Sequence, residues 1–218
     1  MTLELEQELE LRSDENHLVL EHVSWETYES LLHDFEVSGQ RKRITYNDGT
    51  MVIVSPLFKH EKWKKMLGAF VEAVTEEREM DIVRAGSTTW RRKRKKKGLE
   101  PDECFYIQNA GKVECRLEID LKKDPPPDLA IEVDLRPYLM NKLEVYAGLG
   151  IPEVWCFDGL DFEIHALQKD STYVKVNSSV SLPFVAAGDL KRFLERVTEV
   201  KERVLLREVR KWARELKT

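Results

Sequence analysis

Residues 125–134 read Pro-Pro-Pro-Asp-Leu-Ala-Ile-Glu-Val-Asp, and the fold follows from how that run must be divided. Proline has no N–H to give to a strand ladder, so Pro125, Pro126 and Pro127 stand outside any central strand. The strand therefore runs from Asp128 to Asp134. Side chains alternate across a strand, which puts Leu129, Ile131 and Val133 on one face and Asp128, Ala130, Glu132 and Asp134 on the other. A carboxylate such as Glu132, set between Ile131 and Val133, is costly to bury unless something pairs with it.

Downstream, Pro137 breaks the chain before a helix expected over about 138–148. Leu139, Leu143 and Tyr146 mark its core stripe, and Lys142 falls inside that stripe rather than on the solvated side. A lysine turned inward calls for an acidic partner. Residues 153–158, 162–167 and 173–176 then read as a strand meander, and the tail from about Leu190 as one amphipathic helix.

Upstream, Ser24 caps a helix whose apolar positions include Trp25, Tyr28, Leu31 and Leu32. Asn47-Asp48-Gly49-Thr50 separates two apolar runs, 43–46 and 51–54, and Asp-Gly between such runs is a hairpin signal. Trp63, Leu67, Phe70, Val71 and Val74 give the next helix one buried face, with His60 and Glu61 in its first turn. Strands are expected around 81–89 and 103–108, with the basic run between them as a hairpin tip or loop. The predicted fold is α/β: a mixed central sheet flanked by helices, with additional β-hairpins and a C-terminal helix. Three parts are expected: an acidic N-terminal arm over 1–20, a domain over 21–188, and a C-terminal helix over 189–218 that packs on the domain or on a partner.

The chain has 218 residues, 42% of them apolar, enough for one domain with a sizeable core. Its three cysteines, Cys104, Cys115 and Cys156, have no metal-ligand spacing and suggest a reduced, cytoplasmic protein. No apolar run approaches the roughly 20 residues that span a bilayer, so no membrane partner is expected. A net charge of −5 argues against indiscriminate nucleic-acid binding, but its distribution is uneven. Arg91, Arg92, Lys93, Arg94, Lys95, Lys96 and Lys97 form an unbroken cationic run, preceded by Trp90, on the side that a nucleic acid would meet. A solvated loop is the competing meaning of that run.

Asp102 opens the strand next in sequence to the one carrying Glu132, and neighbouring strands bring such carboxylates to a shared ion. The Val133 carbonyl offers a third oxygen. Lys142, on the following helix, is placed to act on a phosphate or on its attacking water. Phosphodiester cleavage needs hard oxygen ligands for a divalent cation and positive charge where the phosphate gains negative charge. The competing readings are a capping role for Asp102 and a structural salt bridge between Lys142 and Glu132 or Asp134.

The segments Ser55-Pro56, His60-Glu61, Gly86-Ser87-Thr88-Thr89, Glu100-Pro101-Asp102-Glu103-Cys104, Glu132-Val133-Asp134, Lys142 to Tyr146 and Gly150-Ile-Pro-Glu-Val-Trp resemble the Uma-two family. That family is a branch of the PD-(D/E)xK nuclease superfamily, and the resemblance covers about Trp25 to Leu194. It implies a restriction-endonuclease-like fold, Mg²⁺ or Mn²⁺ as cofactor, DNA as substrate, and Asp102 and Glu132 as the metal-binding acids. Glu61 resembles a first-helix acid that assists the metal in some members. One position departs from the superfamily pattern: Asp134 stands where the lysine belongs, so the lysine role passes to Lys142. His60 and the basic run are the candidate DNA contacts, and a homodimer would account for cutting both strands. The rival readings are a catalytically inactive nucleic-acid-binding module and a protein-interaction scaffold of the same fold.

Overall fold

The computed structural model describes residues 16–40, 42–134 and 140–216. The chain enters through β1 (Asn16–Leu20), α1 (Trp25–Ser38), β2 (Arg43–Asn47) and β3 (Thr50–Ser55). Part of the expected N-terminal arm is thus a strand, paired antiparallel with β3. The Ser24 hydroxyl accepts from the Thr27 N–H at 3.1 Å, which caps α1 as the sequence predicts. Asp48 and Gly49 both have positive φ (44° and 102°), the backbone demanded by a two-residue hairpin turn between β2 and β3.

Next come α2 (Phe58–Glu77), β4 (Val83–Arg84), β5 (Trp90–Arg92), β6 (Lys97–Leu99) and β7 (Glu103–Tyr106). The strand expected over 81–89 shrinks to two residues, because Gly86 turns away with φ 54° and the loop after it feeds a different sheet. The basic run is itself a hairpin: β5, a 3₁₀ turn over Lys93–Lys95, and β6.

The last third contains α3 (Ala110–Val113), β8 (Leu129–Val133), α4 (Lys142–Leu149), β9 (Glu153–Phe157), β10 (Phe162–Leu167), β11 (Tyr173–Val176), α5 (Ala187–Glu195) and α6 (Glu202–Glu215). The prolines stop short of β8, as their missing donors require. Of the helix expected over 138–148, the described part begins at Lys142, and Leu139 lies outside the described residues. The single C-terminal helix is corrected to two. Leu190, Phe193 and Leu194 of α5 and Leu205, Val209 and Ala213 of α6 all bury in one cluster, which a bend between them allows and which the Arg196–Glu208 ion pair ties together.

Two sheets result, ordered β1-β3-β2-β6-β5 and β11-β10-β9-β8-β7-β4, with six helices around them among the described residues. The β8–β9 pair is parallel and the other pairs are antiparallel, so the mixed α/β architecture expected from the sequence is present. Leu129, Ile131 and Val133 of β8 face α2, α5 and α6, whereas Ala130 faces a second cluster with Tyr146 of α4 and Trp90 and Leu99 of the other sheet. The alternation read from the sequence is therefore real, but both faces are covered, and Glu132 has to be satisfied in the interior.

Candidate active site

Strand register brings the two acids together. Glu103 of β7 pairs opposite Ile131 of β8, and one further step in that register sets Asp102 opposite Glu132. The Asp102 N–H donates to the Ile131 carbonyl at 3.1 Å, and its Oδ2 accepts from the Val133 N–H at 2.6 Å. The carboxyl is fully buried.

Glu132 lies on the face of β8 that α4 covers. Its Oε1 accepts from Lys142 Nζ at 2.6 Å and its Oε2 from the Tyr146 hydroxyl at 2.5 Å. Lys142 and Tyr146 are four residues apart on one helix, so they present to the same face. Lys142 Nζ also lies 3.2 Å from Asp134 Oδ2, so Asp134 is a second ion-pair partner of the lysine. Burial works against the lysine charge, but Glu132 and Asp134 outweigh it and hold Lys142 above the usual lysine range. Burial, with the Glu132 charge second, pushes the Tyr146 hydroxyl far above its ordinary value and keeps it a donor.

His60 and Glu61 approach from the first turn of α2. His60 is 5% exposed, with Nε2 at 3.2 Å from Asp102 Oδ2. Burial first, then the charges of Arg43, Lys142 and Lys64, depress its pKa to about 3, so the imidazole is neutral. His60, read from the sequence among the candidate DNA contacts, is an interior neighbour of Asp102 that borders the same cavity as Glu132 and Lys142. Glu61 is more open and 3.0 Å from one guanidinium nitrogen of Arg43, whose other nitrogen rests against Asp102 Oδ1. Lys64 Nζ donates to the Ser87 hydroxyl at 3.0 Å, and that hydroxyl donates to the Asp102 carbonyl at 3.0 Å.

Sequence reasoning missed Arg43, and it read Tyr146 as core alone. No sequence signal marked Arg43, because β2 meets the site only through tertiary packing. Tyr146 was legible in principle, as the residue four after Lys142 on the same stripe. Glu100 stood in a quoted motif but was given no role. It borders a cavity of about 40 Å³ together with Arg43, His60, Glu132, Val133 and Lys142, and burial raises its pKa. A larger cleft of about 300 Å³ opens on the other flank of Lys142, beside Leu143, Phe157 and His165.

The donor set fits a hard divalent cation in kind: carboxylate oxygens and a backbone carbonyl, at a place where positive charge is already drawn in as Arg43 and Lys142. Among the described residues no three His, Cys, Asp or Glu side chains are grouped to hold a metal. A Mg²⁺-type site needs fewer, because such ions keep waters and take one or two carboxylates together with substrate phosphate.

The basic hairpin divides by contact. Lys93 pairs with Glu26, Lys96 with Asp48, and Lys97 with Glu144 of α4 at 2.6 Å. The Arg92 guanidinium packs at Gly150, where a side chain would come within 3.5 Å of it. Arg91, Arg94 and Lys95 are exposed and make no ion pair among the described residues. Trp90 is 3% exposed, its indole N–H 3.4 Å from Cys104 Sγ and its ring edge-on to Tyr106. The expectation that Trp90 stacks on a base meets this burial, since a ring 3% exposed has no open face to offer.

No helix among the described residues is long and apolar enough to cross a membrane. No curated protein matches the chain. A family model, Uma2, described as "Putative restriction endonuclease", matches residues 25–190, a span that contains Arg43, Asp102, Glu132 and Lys142. With most of its length matched and a mixed α/β fold of the expected kind, the chain belongs to the Uma-two family.

Proposed function

We propose that the chain is a divalent-metal-dependent endonuclease that hydrolyses DNA phosphodiester bonds, with Asp102, Glu132 and Lys142 as its centre. The observation that carries the reading is the contact of Lys142 with Glu132 at 2.6 Å, one residue from the Val133 amide that holds Asp102 at 2.6 Å. Asp102, 31 residues upstream of Val133, converges there on β8 and the helix that follows it, and the family match points to a nuclease.

Asp102, Glu132 and the Val133 carbonyl would hold Mg²⁺ or Mn²⁺, with Glu61, linked to Asp102 through Arg43, as an assisting acid. The cation, when bound, supplies Lewis-acid stabilisation of charge developing on the phosphate. Lys142 contributes a fixed ammonium at the same edge, suited to orient the attacking water and to offset negative charge on the phosphate. Tyr146 and Asp134 keep Glu132 and Lys142 from rotating away. Arg91, Arg94 and Lys95 would meet the DNA backbone, their charges being unspent inside the fold. One such site cuts one strand, so a homodimer is the arrangement proposed for a double-strand break.

The paired state of the carboxylates favours one rival, a binding module in which these residues serve only as a folding ion network. Incubating purified protein with supercoiled plasmid and Mg²⁺ or Mn²⁺ separates the two. Nicking or cutting that disappears in Asp102→Ala and Glu132→Ala supports the nuclease, whereas metal-independent binding without cleavage supports the rival.

A further inference from the structure

Arg43 comes from β2, in a different sheet from Asp102, and its side chain is 15% exposed. One guanidinium nitrogen rests on Asp102 Oδ1 and the other is 3.0 Å from Glu61 Oε1. The remaining Asp102 oxygen, Oδ2, is held by the Val133 N–H at 2.6 Å and faces His60 Nε2 at 3.2 Å. The carboxylate is thus enclosed, and the oxygen that Arg43 covers is the one not tied to the backbone.

We propose that Arg43 is a resident counter-ion of Asp102 that competes with the divalent cation and so sets the cation affinity of the site, as a positioning residue for the metal. This rests on the metal-binding reading above. Two positive charges cannot share Oδ1 at contact distance, and arginine does not neutralise by losing its proton. The guanidinium must therefore leave Oδ1 for a cation to be seated there. It has somewhere to go: its second partner, Glu61, is about 40% exposed, so Arg43 keeps an ion pair after releasing Asp102. The cavity of about 40 Å³ beside Arg43, bounded also by Glu132 and Val133, gives the exchange room. Such a residue keeps a buried carboxylate neutralised and withholds it from weakly attracted ions.

Isothermal titration of the full chain with Mn²⁺ tests this on wild type, Arg43→Gln and Arg43→Lys, with Asp102→Asn as control. Removing the competing charge should tighten Mn²⁺ binding roughly tenfold in Arg43→Gln, while Arg43→Lys, which keeps the charge, stays near wild type. Mn²⁺ should also raise the melting temperature of Arg43→Gln more than that of wild type. Wild type gives a readout that needs no substitution: Mg²⁺ at saturation should shift the Arg43 side-chain NMR resonance. Equal or weaker Mn²⁺ binding by Arg43→Gln, or an unmoved resonance at saturating Mg²⁺, overturns the counter-ion role and leaves the nuclease reading intact. No binding by wild type or by any Arg43 variant overturns both.

Discussion

Replacing Lys142 with methionine removes the only ammonium within 4 Å of Glu132 among the described residues and keeps most of the side-chain volume. Lys142 is 20% exposed, Glu132 8% and Asp134 18%, so solvent screens these charges poorly. At 2.6 and 3.2 Å the two attractions are about 6 and 5 kcal/mol for an effective dielectric of about 20. Desolvation of the three ions offsets most of that gross figure. What remains is the cost of leaving Glu132 buried with only Tyr146 as donor, about 3–5 kcal/mol for a broken buried pair. In a chain of this size that loss lowers the melting temperature by about 10 °C. Chemical denaturation of Lys142→Met, Glu132→Gln and the double variant measures it. Each single change should destabilise by more than half of the double, because the second removes a group already left without its partner. A divalent cation should then substitute for the missing ammonium, so Mn²⁺ should stabilise Lys142→Met more than it stabilises the double variant. Strict additivity of the two single changes, or a Lys142→Met protein as stable as wild type, would refute the coupling argued from the geometry.

Replacing Arg91, Arg94 and Lys95 together with alanine should weaken DNA binding and reduce the slope of log affinity against log salt by about 2–3, with the melting temperature unchanged, as read by fluorescence anisotropy at several salt concentrations. Lys97→Ala should do the reverse, lowering thermal stability through loss of the Glu144 contact that ties the hairpin to α4, with a smaller effect on the salt slope. Trp90→Phe should leave DNA affinity within twofold of wild type while costing about 1–3 kcal/mol of stability, because the indole is a core group. Gly98→Ala should cost about 1–3 kcal/mol in a urea melt. A Cβ at Gly98 would collide with the buried ring of Tyr28, whose Cζ would lie 2.8 Å away.

Much of this architecture was legible because it rests on local rules. The missing donors of Pro125 to Pro127 set the start of β8, Asp-Gly set the β2–β3 turn, and a single apolar stripe set α2. The pairing of Lys142 with Glu132 was also legible, since a charge inside an apolar stripe must find its opposite. The rest depended on distant packing. Arg43 reaches Asp102 only because the two sheets meet at this edge, and nothing within β2 announces that. Trp90 read as a ring beside a basic run, but β5 turns it inward against Cys104 and Tyr106. The bend after α5 follows from two apolar faces sharing one core, a demand that periodicity along a single helix does not display.

Anomalous diffraction from a crystal soaked in Mn²⁺ tests the central claim most directly, that Asp102 and Glu132 share a cation. One peak bonded to an oxygen of each carboxylate, with the Arg43 guanidinium turned off Asp102 toward Glu61, is the predicted result. Both acids still held by Arg43 and Lys142 at saturating Mn²⁺, with the density elsewhere, would contradict it.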